Sequence, residues 1–479
     1  MDDEKRCDNV TLNVPLIQNQ PQHWPQRTLN SGHTSTNATT PFLNTCFNGL
    51  NILSEKLSNN LALRVPLLHE WENGIDAEKA VGSCPCTKTN VSVFRTCLNG
   101  LNAISGVGIL SVPYALASGG WVSLGLLFAI ATVAFYSGLL IKRCMDKDSN
   151  IRSYPDIGER AFGKTGRLIV SVLMYTELYL VATGFLILEG DNLSNLFPFG
   201  EVEIAGLAIG ERKFFVILVA LVILPTVWLD NLSLLSYVSA SGVFASAIIV
   251  LSISWTAMFD GVGFHQKGTL VNWNGIPTAV SLYAFCYCAH PVFPTLYNSM
   301  ENRHQFSNVL LTCFLLTTAG YASMAIIGYL MYGSDVESQI TLNLPLNKLS
   351  SQIAIYTTLV NPISKFALMA TPITNALKEL LPGTYKNRVS SFLVSTVLLI
   401  STTIVAITVP FFAYLMSLVG AFLSVTASIL LPCLCYLKIS GTYRKFGFET
   451  IAIVAIILAA IAMAITGTYT SLVDIVHHL

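Results

Sequence analysis

Charged side chains are scarce in this chain. Asp, Glu, Lys and Arg make up 11% of 479 residues, against 53% hydrophobic. A soluble protein of that length needs far more charge to cover its surface, so the scarcity argues against a soluble globule and implies a polytopic membrane protein. Neither sign is in excess, with 27 basic and 27 acidic residues, so no positive field points to nucleic acid. The 11 cysteines supply no C-x-x-C spacing. Cys84-Pro-Cys86, Cys286-Tyr-Cys288 and Cys433-Leu-Cys435 have nothing nearby to complete a zinc site. None lies in a loop assigned below to the non-cytoplasmic side, so reduced thiols are expected. H-E-x-x-H, G-x-S-x-G and aspartate-rich constellations are missing, which argues against an enzyme, and His477-His478 alone is no metal site. No cofactor or metal is called for. The start, Met1-Asp-Asp-Glu-Lys-Arg6, has no apolar h-region, so the first span is expected to serve as its own insertion signal.

Residues 1–90 are rich in Asn, Gln, Ser, Thr and Pro, too polar to bury a core, and read as a disordered cytoplasmic tail. Within it, Thr45-Cys-Phe-Asn-Gly-Leu-Asn-Ile-Leu-Ser54 nearly copies Thr96-Cys-Leu-Asn-Gly-Leu-Asn-Ala-Ile-Ser105. Val14-Pro-Leu-Ile17 matches Val65-Pro-Leu-Leu68 in the same register. This is a partial duplicate of the segment entering the first span. It continues Glu55-Lys56 and cannot cross a membrane. Pro66-Leu-Leu68 is a dileucine without the usual preceding acid.

Residues 91–479 form a transmembrane domain of about eleven helices. The spans are placed at 93–117, 122–143, 166–188, 213–229, 234–258, 274–298, 306–332, 349–377, 389–409, 411–437 and 449–471. Basic residues set the orientation. Lys142, Arg143, Lys147, Arg152, Arg160, Lys164 and Arg167 fill the second-to-third loop. Arg303, Lys378, Lys386, Arg388, Lys438, Arg444 and Lys445 mark loops of the same parity. The N-terminus is therefore expected in the cytoplasm. Asn192-Leu-Ser194 is a sequon on the luminal side, close to the membrane.

The stretch Asn99 to Trp121 is apolar enough for a bilayer, yet Gly106, Gly108 and Pro113 spoil it as a continuous helix. In hydrocarbon a broken span survives only where it lines a cavity, and the half-helix ends there carry partial charge. Such ends hold the carboxylate and ammonium of an amino acid at the midplane. A glycine-packed helix crossing is the competing account of the same residues. A second interruption falls in Ser281-Leu-Tyr-Ala-Phe-Cys-Tyr-Cys-Ala-His-Pro291, followed by Pro294. The interrupted spans are the first and sixth, as in five-plus-five inverted-repeat transporters with one extra C-terminal helix.

Several motifs then carry a family resemblance over residue 92 to the end. Ser105-Gly-Val-Gly-Ile-Leu-Ser-Val-Pro-Tyr-Ala115 with Gly119-Gly-Trp121 resembles the first-span signature of the amino acid/auxin permease family, in its plant and fungal vacuolar neutral amino acid transporter branch. Tyr175-Thr-Glu-Leu-Tyr179, Asp191-Asn-Leu193, His290-Pro-Val-Phe-Pro294, Tyr297-Asn-Ser-Met300, Ser364-Lys-Phe-Ala367 and Thr371-Pro372 fit the same branch. The resemblance implies proton-coupled amino acid transport on an all-α, LeuT-type fold. Pro291 departs from the small residue expected after the histidine.

Ionisable groups inside spans mark ion or substrate paths by default. Lys365 lies about three turns, roughly 16 Å, from the cytoplasmic end of its helix, too far to snorkel. In sodium-coupled relatives a cation sits between the first and eighth spans, and the Lys365 ammonium is the candidate to replace it. Glu177 is a second proton-site candidate or a partner for Lys365; the bland alternative is a neutral carboxyl bonded to Tyr175, Tyr179 or a neighbouring helix. His290 is either a proton relay or an imidazole bracing the Pro291/Pro294 bend. For the substrate, the candidates are Asn102, Ser105, Gly106, Val107, Gly108, Tyr283 and Phe285. Carbonyls near Ala103 to Ser105 or Leu282 to Phe285 would take the ammonium, and glycine amides the carboxylate. No strong charge lies near the side-chain pocket, so a neutral L-amino acid fits best.

The chain is thus expected to exchange protons for neutral amino acids across the vacuolar membrane, as a monomer in the lipid bilayer with no nucleic-acid partner. The alternatives are a plasma-membrane proton symporter and an amino-acid-sensing receptor that signals through the tail.

Overall fold

A computed structural model describes residues 92–204, 207–228, 235–379, 388–409, 411–444 and 447–478. The tail and its duplicated segment lie outside the described residues. What is described is nearly all helix. Among the described residues nine helices are long and apolar enough to cross a membrane, or ten when a bent pair is counted as one span. This is a polytopic membrane protein.

The bent pair is the first span. Its halves, Val93–Ile104 and Gly108–Gly119, meet at 48°. The second span is Val122–Lys147 and the third belongs to Tyr154–Leu196. That third helix begins well before the expected 166. The backbone of Ser153 donates to Asp156 Oδ2 at 2.8 Å, capping a short segment that turns at Gly163, φ 70°, before the span proper. Only glycine takes that φ at low cost.

The expected fourth span at 213–229 is shorter than read. Its helix, Glu211–Ile223, stops ahead of Pro225, as the residue before a proline disfavours helix, and gives way to a single 3₁₀ turn at Thr226–Trp228. Thirteen residues rise only about 20 Å. An antiparallel hairpin, Glu201–Ile204 with Leu207–Gly210, precedes it, with Glu201 opposite Gly210. It is the one β element among the described residues, absent from the all-α expectation.

The fifth span is Leu235–Phe259, the seventh Phe306–Tyr332, the eighth Leu349–Glu379 and the ninth Arg388–Thr408. The sixth is interrupted: Ile276–Cys286, a 3₁₀ turn His290–Val292, then Phe293–Ser299. The tenth starts as α-helix at Phe412, widens into π-helix over Val419–Ser424 and Thr426–Leu430, and ends as α-helix at Ser440. The eleventh, Phe448–His478, buries Ile453, Ala460, Gly467 and Ser471. These lie seven or four residues apart, one stripe of a helix. Its exposed residues are mostly apolar (Ile451, Leu458, Ile465), as on Leu251, Leu315 and Val397 of other spans. A surface of that kind suits lipid.

The first and sixth spans pack on each other, and the seventh covers the first. The eighth lies against the third and fifth. The segment before the sixth span straps the corner after the first: Trp121 N donates to Thr269 O (3.1 Å), Val122 N to Leu270 O (3.0 Å) and Asn272 N to Gly119 O (3.1 Å). Gly120, at φ 75°, makes that corner.

Candidate functional site

The first span unwinds over Ser105-Gly106-Val107, where the sequence placed the break. Pro113 causes no second break. It sits inside the second half-helix, and Gly328 of the seventh span leaves room for its ring, since a Cβ there would lie 2.6 Å from it. Unwinding strands the last carbonyls of one half-helix and the first amides of the other. The partners of those carbonyls define the site.

Lys365 takes two of them. Its buried Nζ donates to Ser105 O at 3.0 Å and to Asn102 O at 3.5 Å. An ammonium therefore joins the eighth span to the carboxyl end of the first half-helix, where the helix dipole favours positive charge. The side-chain oxygens of Asn102 (Oδ1) and Ser105 (Oγ) are buried with no hydrogen-bond partner. Asn102 Oδ1 fits there because residue 242 is glycine: a Cβ would stand 2.1 Å from it and 3.4 Å from Lys365 Cε.

The two glycines of the break differ. A Cβ on Gly106 would meet nothing within 4 Å, so the backbone borders open space. A Cβ on Gly108 would lie 2.6 Å from Cys286 Sγ, so this glycine lets the two interruptions touch. Val107 directs its side chain into the core and offers only backbone. Tyr283 is fully buried, with its hydroxyl 3.3 Å from Ser123 Oγ on the second span. Phe285 is buried where the sixth span meets Gly420 of the tenth. Both aromatics pack between helices, and neither has a contact placing it beside Gly106.

Glu177 and His290 form a second cluster. Ser424, in the π segment of the tenth span, donates to Glu177 Oε1 at 2.6 Å, and the Cys288 thiol of the sixth-span break stands beside it. His290 Nε2 is 2.9 Å from both Ala134 O and Ser137 Oγ of the second span, and Ser137 Oγ donates to Ser428 O at 2.6 Å. The imidazole thus braces the bend against the second span, while Nδ1 is buried without a partner. Glu177 is not paired with Lys365. The ammonium is spent on backbone carbonyls and the carboxyl on the tenth span. The buried carboxyl and imidazole and the half-buried Cys288 thiol all border the widened π turn, a local geometry common at functional sites.

Three participants were not read from the sequence: Gly242, the π segment with Ser424, and Tyr321 of the seventh span. The Tyr321 hydroxyl donates to Ile104 O at 2.7 Å, lies 3.2 Å from Cys286 O and accepts from Gly106 N at 3.4 Å. One oxygen touches both interruptions. A tyrosine in an apolar run reads as ordinary packing, so no motif marks it. The sequon is also clarified: Asn192 is buried, with Nδ2 bonded to Leu188 O and Gln339 Oε1, and is closed to glycosylation.

The family profile described as "Transmembrane amino acid transporter protein" matches residues 89–473. The chain belongs to that family. It is 61% identical over 386 residues to amino acid transporter AVT1I of Arabidopsis thaliana, covering 80% of this chain and 95% of the relative. It is 60% identical over 403 residues to amino acid transporter AVT1J of the same plant, covering 84% and 95%. Amino acid transporter AVT1B is 45% identical over 383 residues, covering 80% and 71%. Among solved structures it is similar to a Na+-coupled sialic acid symporter in a substrate-bound outward-open state, at 14% identity and TM-score 0.48, covering 81% of this chain and 91% of that one. The protein is an amino acid transporter, and its membrane-spanning helices carry a small-molecule substrate.

Proposed function

We propose that this transporter exchanges protons for neutral amino acids across the vacuolar membrane, with the basic end of the bundle in the cytoplasm. The observation that carries the reading is Lys365 on the Asn102 and Ser105 carbonyls. A permanent metal ion cannot gain or lose charge there, whereas an ammonium can. With its proton, Lys365 holds the eighth span to the first; without it, the electrostatic part of that tie is gone and the helices are free to part.

The substrate lies in the open space beside Gly106, its carboxylate on the amides that begin the second half-helix and its side chain among apolar neighbours. Asn102 and Ser105 offer unpaired buried oxygens there. Glu177 and His290 are the candidates for a second proton step, taken where the sixth and tenth spans meet. An acidic lumen would then load protons as the amino acid is released.

Reconstitution into liposomes with a radiolabelled amino acid panel tests this. Neutral amino acids should accumulate when the interior is acidic, and a protonophore should abolish the accumulation. Sodium-dependent uptake that ignores the pH gradient would overturn the coupling. A fluorescent fusion that marks the plasma membrane would overturn the location.

A further inference from the structure

Backbone groups of the two interruptions converge on one side chain. Ile104 O and Gly106 N come from the first span, Cys286 O from the sixth, and all three lie within 3.4 Å of Tyr321 Oη. The ring is fixed from behind. It is 1% exposed and stands edge-on to Tyr287, centroids 5.6 Å apart. Tyr287 is in turn anchored to Thr318 at 2.9 Å, one turn away on the same seventh span. The hydroxyl has therefore little freedom to follow other partners. It also has a single proton for two carbonyls; spent on Ile104 O, which already accepts from Gly106 N at 2.9 Å, it leaves Cys286 O short of a donor.

We propose that Tyr321 is a positioning residue, its hydroxyl tying the first and sixth spans so that the carbonyls of Ile104 and Cys286 present an assembled acceptor pair to the ammonium of the substrate. The inference rests on the substrate site placed beside Gly106. An ammonium brings three donors and supplies the proton the phenol lacks. Acceptors already held in place save the substrate the cost of ordering two loose segments, which raises affinity more than turnover.

The test is Tyr321→Phe in the full chain, which keeps the ring and removes only the oxygen. KM for the amino acid should rise about five- to tenfold, the size of one hydrogen bond, with the maximal rate within about twofold. Alkylation of Cys286 by N-ethylmaleimide in membranes, read by peptide mass spectrometry, should quicken, while the buried Cys433 of the tenth span stays protected. An unchanged KM overturns the proposal. So does faster labelling of Cys286 and Cys433 together, which would make the hydroxyl a general folding element. Gly106→Leu separates the two failures. If it transports normally, the substrate site itself is misplaced. If it is inactive while Tyr321→Phe behaves as wild type, only the tie is wrong.

Discussion

At the scale of single residues, the site is built by what is missing as much as by what is present. Gly106 has no neighbour where a Cβ would stand, so a larger side chain is free to fold into that space. Gly106→Leu should insert and accumulate normally yet lose roughly 100-fold in flux, the penalty for a misplaced substrate; uptake in proteoliposomes at matched protein level measures it. Lys365→Met keeps the packing but strips the donor from Ser105 O and Asn102 O, at a cost of about 1–3 kcal/mol for the stranded acceptors. Flux through this variant should no longer respond to an imposed pH gradient, and fluorescence assays of proton movement alongside labelled substrate would show it. Lys365 and the glycines were visible in the sequence because an ion or a helix breaker within an apolar run contradicts its surroundings. Tyr321 and Gly242 contradict nothing locally. Their importance depends on the carbonyls and the Asn102 amide that other helices bring to them.

At the scale of elements, the two interrupted spans were legible because Gly and Pro have effects that reach only a turn or so along the chain. Where the effect depends on neighbours, the reading fails. Pro113 is accommodated by Gly328 across the helix crossing, and Val419-Gly-Ala-Phe-Leu-Ser424 has the composition of plain α-helix although it winds as π. The fourth helix stops before Pro225 although the apolar run continues past it. The helix before the third span turns on Gly163, where a Cβ would meet nothing within 4 Å. Gly163→Ala should therefore cost only the penalty of its glycine-only backbone conformation, φ 70° with ψ −159°, about 1–3 kcal/mol, seen as a lower melting temperature in detergent with KM unaltered.

At the scale of the whole molecule, the end opposite the basic loops is closed by a polar chain linking distant parts of the sequence. Arg212 Nε donates to Asp191 Oδ1 at 2.6 Å, Gln339 Nε2 to Asp191 Oδ2 at 3.2 Å and Asn192 Nδ2 to Gln339 Oε1 at 2.8 Å. The third span, the fourth span and the seventh-to-eighth loop are thereby joined. The pair is mostly sheltered, with side chains 21% and 15% exposed, whereas Arg143–Glu449 at the basic end is 46% and 40% exposed. Arg212→Met should therefore destabilise by about 2 kcal/mol, and Arg143→Met by less than about 1. Thermal unfolding of the two variants side by side is the check. None of these partners was paired in the sequence, because contacts closed across 21 to 148 residues of chain leave no periodic trace.

The meeting of Gly108 with Cys286 has an evolutionary corollary. A methyl group at 108 would stand 2.6 Å from the sulfur at 286, so position 108 can grow only if position 286 gives way. Gly108→Ala should be disabling alone and relieved by Cys286→Gly. Descendants of this chain would then reach that pairing by shrinking residue 286 before enlarging residue 108.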